Sequence, residues 1–252
     1  MIKTAILDLD GTLFIGRTPV PGAAVALEKL RLAGIRVLFL TNAGTRNREG
    51  VAHKLTNMGI QATHEEVYCG SYLAARYIAE HHAGKKAFVV GERGMMDELS
   101  AAGIKISEKA DIVVTCLDRH LTYDKLAKAH RLLREGAHFI ASNKDHTFPV
   151  EHGSMPGAGA IVTALEYSSK KSAYIVGKPN PFAFELMQKE LGIGNNDTVM
   201  IGDRLDIDIA FAKNAGIKSA LVLTGISKKE DIKEKKMEPD FVFNSLAELT
   251  LP

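Results

Sequence analysis

Residues 1–13 read MIKTAILDLDGTL, a short apolar run broken by Asp8 and Asp10 and then turned at Gly11. Ile2 to Leu9 has the length and composition of a buried strand, and it stops at an Asp-Gly pair that favours a turn. Alternate residues on a strand project to the same side, so Asp8 and Asp10, separated by Leu9, can serve one site. Two carboxylates buried together repel each other and draw a proton or a cation. Magnesium relieves that conflict with carboxylates, a carbonyl oxygen, waters and phosphate oxygens. An Asp-Gly turn is also ordinary at a strand end, so the pair gains meaning only from groups further along the chain.

Outward from this strand the pattern alternates. Pro21-Gly22 introduces a helix with Ala26, Leu27, Leu30 and Ala33 at helical spacing and Gly34 as its stop. Arg36 to Leu40 is a second apolar strand, and Thr41-Asn42-Ala43-Gly44 lies just beyond its carboxyl end, where open α/β sheets place their chemistry. A helix through Leu55 and Met58, a strand at Val67 to Cys69 and a helix from Tyr72 to His81 follow. This alternation predicts an α/β fold with a mostly parallel sheet and helices on both faces.

Around Ala83-Gly84-Lys85-Lys86 the pattern restarts. Strands are expected at Ala87 to Val90, Ile112 to Thr115 and His138 to Ala141, with helices near Met95 to Leu99 and from Tyr123 to Arg134. The segment NKDHTFPVEHGSMPGAG after Ser142 is polar and glycine-rich, a surface connection or a functional loop, before a helix near Ala160. The first kind of unit then resumes. Strand Ala173 to Val176 leads to Gly177-Lys178-Pro179, helix Phe184 to Leu191 follows, and strand Thr198 to Ile201 ends at Gly202-Asp203. A helix from Ile207 to Asn214 and strands at Ala220 to Leu223 and Phe241 to Phe243 complete the pattern. The insertion from Ala83 to Val176 reads as a second domain.

Composition narrows the partners. The 252 residues are 46% hydrophobic and 25% charged with a formal charge of +2, which describes a globular protein with no demand for a polyanion. No basic tract is interleaved with aromatics, and the Lys-rich stretch Lys228 to Lys236 also contains Glu230, Asp231 and Glu234, so nucleic acid is not expected. The amino terminus is too short and too acidic for a signal peptide or a membrane span. Cys69 and Cys116 are too few for a disulfide framework and too widely spaced for zinc, which suits two buried thiols in the cytoplasm. The nine histidines show no zinc spacing; His146 and His152 draw interest through their place in the polar segment.

The remaining acids and donors complete a constellation. Asp203 follows an apolar strand and a glycine, and GDRLDID adds Asp206 and Asp208 at a helix start. Asp206 alone reads as an ordinary first-turn acid, whereas Asp203 is the candidate direct metal ligand and Asp208 acts through water or orients the ligands. Thr41 and Asn42 are neutral donors for phosphate oxygens or simply a local turn cap. Lys178, set between a buried strand and Pro179, supplies positive charge for a phosphoryl group, although an isolated lysine is more often solvated. Together these suit phosphoryl transfer, with Asp8 as nucleophile and Asp10 as general acid and base.

DLDGTL at Asp8 to Leu13, Thr41-Asn42, Lys178-Pro179 and GDRLDID at Gly202 to Asp208 resemble the motifs of the haloacid dehalogenase superfamily. More narrowly the chain is similar to its NagD / p-nitrophenyl-phosphatase branch, with a Rossmann-like core and a large inserted α/β cap. The resemblance implies a discontinuous core at 1–82 and 177–252 and a substrate-selecting cap at 83–176. It implies Mg2+ held by Asp8, the Asp10 main-chain carbonyl, Asp203 and Asp208, and Asp8, Asp10 and Lys178 as catalytic groups. It further implies a small phosphorylated metabolite as substrate, among them phosphoglycolate, pyridoxal phosphate and nucleotide monophosphates, and it allows a homodimer through the cap. Asp118, Arg119, Asn143, Lys144, Asp145 and His146 lie beside cap strand ends and are the candidates for choosing the leaving group, with Arg119 or Lys144 available to an acidic one. Two other readings are a signalling receiver, disfavoured by the early position of Asp8 and the chain length, and an inactive binding protein, disfavoured by the presence of both Asp8 and Asp10.

Overall fold

The computed structural model describes residues 1–150 and 153–250. The amino-terminal run forms strand β1, Thr4–Leu7, buried on both faces. The strand is shorter than the apolar run because the ladder ends where Asp8 N–H reaches Ile201 C=O at 2.8 Å. Leu9 C=O then turns inward and accepts from the amides of Thr12, Leu13 and Phe14. A small hairpin follows, β2 (Phe14–Ile15) and β3 (Thr18–Pro19), which the sequence did not announce. Next come α1 (Ala23–Leu32), β4 (Arg36–Thr41), α2 (Arg48–Asn57), β5 (Val67–Cys69) and α3 (Gly70–His81).

The inserted segment carries β6 (Ala87–Val90), α4 (Arg93–Ala101), β7 (Ile112–Thr115), α5 (Tyr123–Arg134) and β8 (His138–Ala141). It continues with β9 (Thr147–Val150), β10 (Gly153–Pro156), α6 (Ala158–Ser169) and β11 (Tyr174–Ile175). The polar segment after Ser142 is therefore not only a connection, because β9 and β10 pair as an antiparallel hairpin. His152 lies outside the described residues. The chain then forms α7 (Phe182–Leu191), β12 (Thr198–Gly202), α8 (Ala210–Ala215), β13 (Lys218–Val222), α9 (Lys229–Glu234) and β14 (Phe241–Phe243). The helix expected from Ile207 is preceded by a π-turn at Leu205–Ile209, a wider winding often found where a helix serves a site.

Six strands make one parallel sheet in the order β14-β13-β12-β1-β4-β5. Strand β1 sits between β12 and β4, with Leu7 opposite both Ile201 and Phe39. That register brings residues nearly two hundred positions apart to one sheet edge. A second parallel sheet, β11-β8-β7-β6, belongs to the insertion.

The period-two alternation of the second sheet explains how it attaches. Phe88, Val90, Val113, Phe139 and Ala141 face α5 and α6 with Leu132, Ile161 and Leu165. Ala87, Val89, Ile112, Val114 and Ile140 point the other way and join the apolar core that contains α3, α4 and the six-stranded sheet. The two sheets therefore share one continuous hydrophobic cluster, the strongest non-directional force available to hold them together. Among the described residues no helix is long and apolar enough to cross a membrane.

Candidate active site

Three neighbouring strands deliver the site. Asp8 follows β1, Thr41 ends β4 with Asn42 after it, and Asp203 follows β12, all at the carboxyl edge of the sheet. The turn that carries Asp8 past the edge depends on Gly11, whose φ of +89° is in the left-handed region. A Cβ there would also overlap the Asp203 carboxylate, so glycine is required twice over.

Carboxylate oxygens of Asp8, Asp203 and Asp208 lie within 4.8 Å of one another. Lys178, fully buried, donates to Asp8 Oδ1 at 2.5 Å, to Asp208 Oδ1 at 2.7 Å and to Leu40 C=O at 3.0 Å. Burial opposes the lysine charge, but Asp208 and Asp8 outweigh it and hold the Lys178 pKa above its ordinary value. Burial likewise holds the Asp8 carboxyl well above the ordinary aspartate value; Lys178 opposes this, while Asp208 and Asp203 add to it. Burial and Asp208 push Asp203 up to about 7 against the hydrogen bond from Ile226 N–H. One positive charge thus leaves three clustered acids under-compensated.

The acids fit a hard divalent cation. Asp203 Oδ2 accepts from Ile226 N–H at 2.7 Å, while its Oδ1 is buried with no partner, an arrangement that costs free energy unless a ligand fills it. Asp208 Oδ2 is fixed by Arg204 N–H at 3.0 Å, which the π-turn makes possible. An all-oxygen set of this kind is chemistry for magnesium rather than for a softer metal.

Both Lys178-linked acids line the cavity, and Asp8 is the more open of the two: its side chain is 12% exposed, against 1% for Asp208. Asp10 lines the same cavity and is half-buried; burial raises its carboxyl pKa, with Lys54 and then Lys178 opposing. Asn42 Nδ2 donates to Lys178 C=O at 3.0 Å and reaches the Asp145 carboxylate at 3.3 Å. Thr41 Oγ1 accepts from Ala43 N–H at 3.1 Å, the turn cap left open by the sequence, and Thr41 still lines the cavity.

Of the residues singled out in the insertion, Arg119, Asn143 and Asp145 line a cavity of about 470 Å³ above the acids. Asn143 Nδ2 donates to Asn42 C=O at 2.7 Å and so ties the insertion to the sheet edge. Asp145 faces Arg204 at 4.0 Å. Asp118, Lys144 and His146 are placed elsewhere: Asp118 is buried against Lys125 at 2.6 Å, Lys144 pairs with Glu166 at 2.5 Å, and His146 is exposed away from the cavity lining. Neither Arg119 nor Lys144 is available as a bare cation, since Glu92 grips Arg119 through two bonds of 2.8 and 2.7 Å.

The structure adds residues that the sequence reading passed over. Arg46, Lys54, Arg204 and Ile226 all line the cavity. Lys54 could have been found by periodicity, because it lies three residues after Val51 and next to Leu55, both buried on the inner face of α2. The Ile226 contribution is a backbone amide and leaves no side-chain signature. Cys69 and Cys116 are free and buried, and burial raises their thiols to about 11 and about 12, which removes them as nucleophiles near neutral pH.

Comparison with known proteins agrees with this geometry. Residues 5–105 match the haloacid dehalogenase-like hydrolase family and residues 175–249 match the HAD-hydrolase-like family. An acid sugar phosphatase of Staphylococcus aureus is 37% identical over 98% of this chain and 96% of its own. The structure of a 4-nitrophenylphosphatase from Thermotoga maritima superposes with a TM-score of 0.94 at 35% identity, covering 98% of this chain and 95% of that one. NagD from Escherichia coli gives 0.92 at 31% identity with 99% of each chain covered. A glycerol phosphate phosphatase from Mycobacterium tuberculosis, in complex with magnesium, gives 0.91 at 33% identity over 97% of this chain and 76% of that one. With the acid cluster, the two parallel sheets and the full-length likeness in agreement, the chain belongs to the haloacid dehalogenase superfamily, in its NagD / p-nitrophenyl-phosphatase branch.

Proposed function

We propose that this phosphatase hydrolyses small phosphomonoesters with magnesium through an aspartyl-phosphate formed on Asp8. The observation that carries the reading is the contact of Lys178 with Asp8 Oδ1, which leaves Oδ2 of the more open of the two Lys178-linked acids free to attack phosphorus. Magnesium, when bound, supplies positive charge that offsets the phosphoryl oxygens and the clustered acids. Asp8, Asp203 and Asp208 would hold it, with the Asp10 carbonyl as the further ligand implied by the resemblance.

Asp8 Oδ2 forms a bond to phosphorus as the ester P–O bond breaks, and Asp10 gives the leaving oxygen its proton. Asp10, now a carboxylate, takes a proton from water as that water attacks the acyl-phosphate, releasing orthophosphate and restoring Asp8. Lys178 orients Asp8 and offsets charge on the transferred group. Thr41 and Asn42, beside it on the next strand, offer donors for the phosphoryl oxygens. In this reading the core spans 1–82 and 177–252 and 83–176 is the cap that selects the leaving group, a role supported by the presence of Arg119, Asn143 and Asp145 in the cavity lining. The two free, buried thiols support a cytoplasmic location.

The test is phosphate release from glycolate, pyridoxal, nucleotide, sugar and aryl phosphates, with and without magnesium, by the native chain and by Asp8→Asn. Magnesium-dependent release lost in the variant supports the assignment. Release retained by a variant preparation free of other phosphatases overturns it.

A further inference from the structure

Five basic side chains line the cavity: Arg46, Lys54, Arg119, Lys178 and Arg204. Three are neutralised by the protein itself. Lys178 is held by Asp8 and Asp208, Arg119 by Glu92 at 2.7 Å, and Arg204 by Asp206 at 2.8 Å. Arg46 and Lys54 form no ion pair within 4.0 Å among the described residues.

Both are held in place without a direct ion pair, Lys54 having the Asp10 carboxylate as its nearest opposing charge. The Lys54 ammonium stands 3.6 Å from the centre of the Phe14 ring, which fixes it on the Asp10 side of the cavity. Arg46 is anchored through its backbone, its C=O accepting from Ser71 Oγ at 2.6 Å. On the opposite side Gly94 of α4 lies so close that a Cβ would overlap the Arg46 main chain. The Arg46 main chain is thus held between the core helix α3 and the inserted helix α4, while its side chain is exposed and lines the cavity.

The two cations also sense each other. Burial lowers the Lys54 pKa, Asp10 opposes that effect and Arg46 adds to it. Lys54 is partly buried while Arg46 is exposed at the cavity mouth, and their mutual repulsion, eased on one side by Asp10, is relieved further by an anion from outside. Because Lys54 stands beside Asp10, the group that protonates the leaving oxygen, that anion belongs on the leaving group and only a few bonds from the ester.

We propose that Arg46 and Lys54 form a carboxylate subsite for the leaving group, so that the preferred substrate is a phosphorylated short-chain hydroxy acid rather than the phosphate of a neutral alcohol. This rests on the phosphatase reading above. The guanidinium fork and the ammonium match a carboxylate in shape and charge. The subsite lies on the core side of the cavity, whereas the cap cations Arg119 and Lys144 are already paired with acids.

The experiment compares 3-phosphoglycerate with glycerol 3-phosphate, which differ in the carboxylate. Two ratios are read: kcat/KM for the magnesium-loaded native chain, and affinity by calorimetry for the magnesium-loaded Asp8→Asn protein. The acid is expected to be preferred at least about tenfold in both, the size of one hydrogen bond to a charged group. Arg46→Gln and Lys54→Met, the latter keeping its stem against Phe14, are each expected to lower the preference about tenfold, and together to abolish it. The single variants decide the matter if the double variant does not fold. A native ratio of one overturns the subsite, as does a ratio unchanged in the variants, which would mean that both cations serve the phosphoryl group common to the two esters. Absence of phosphate release from either ester counts against the phosphatase reading, while the calorimetric ratio still decides the subsite.

Discussion

Lys178 Nζ meets Asp8 Oδ1 at 2.5 Å across 170 residues of chain, and the same ammonium meets Asp208 Oδ1 at 2.7 Å. One buried cation thereby sets the orientation of the attacking acid and offsets part of the charge of a three-acid cluster. Its loss is expected to damage both rate and stability.

Lys178→Met should lower kcat by roughly 10²–10³, as removal of a preorganised charge-stabilising group does. It should also destabilise the metal-free protein at neutral pH by about 3–5 kcal/mol, because the acids are left buried without their cation. Steady-state rates and chemical denaturation of native and variant chains read these two effects separately.

The raised pKa values of Asp8 and Asp203 fix the direction of a pH effect. An acid whose folded pKa exceeds its unfolded one contributes stability that is full below the unfolded value and is lost as pH rises through the folded value. For Asp203 the window runs from the ordinary 3.8 to about 7. Metal-free protein should therefore have a higher Tm at the acid end of that window than above it. Magnesium binds the ionised cluster, so the Tm gain on adding it should be larger above the window. Calorimetric scans with and without magnesium check both signs.

Gly11→Ala should cost about 1–3 kcal/mol, since a side chain at positive φ is strained and this one also displaces Asp203. The displacement predicts weaker magnesium binding as well. Thermal unfolding and a magnesium titration give the two readings.

At the cap, Asn143→Ala removes the buried bond to Asn42 C=O and should cost about 1–3 kcal/mol. Lys144→Ala breaks a half-exposed pair with Glu166 outside the cavity and should stay within about 1 kcal/mol of native stability. Equal losses from the two substitutions would contradict the placement of Asn143 as the tie between cap and sheet edge.

The sequence exposed the site wherever chemistry follows directly on an apolar strand. Asp8, Thr41 and Asp203 each stand at the end of such a run, and a parallel sheet gathers strand ends on one edge. Lys178 was legible for the same reason, from its place after β11 and before Pro179. Lys54 had only its spacing from Val51 to mark it, a weak signal because a lysine in a helix usually points to solvent and this one is part-buried against Phe14 of β2. The β9–β10 hairpin escaped notice because its polar, glycine- and proline-containing run lacks the alternation that marks a strand. The roles of Arg119 and Lys144 turned on Glu92 and Glu166, distant partners that no local pattern names.

The central claim is that phosphorus becomes covalently attached to Asp8. Its most direct test is acid quenching of the magnesium-loaded native chain during turnover of a labelled phosphomonoester, followed by borohydride reduction and peptide mapping. The mechanism requires label on the quenched chain, its release as phosphate on reduction, and homoserine in place of aspartate at position 8. Turnover with no trapped label, or label at another residue, would contradict it.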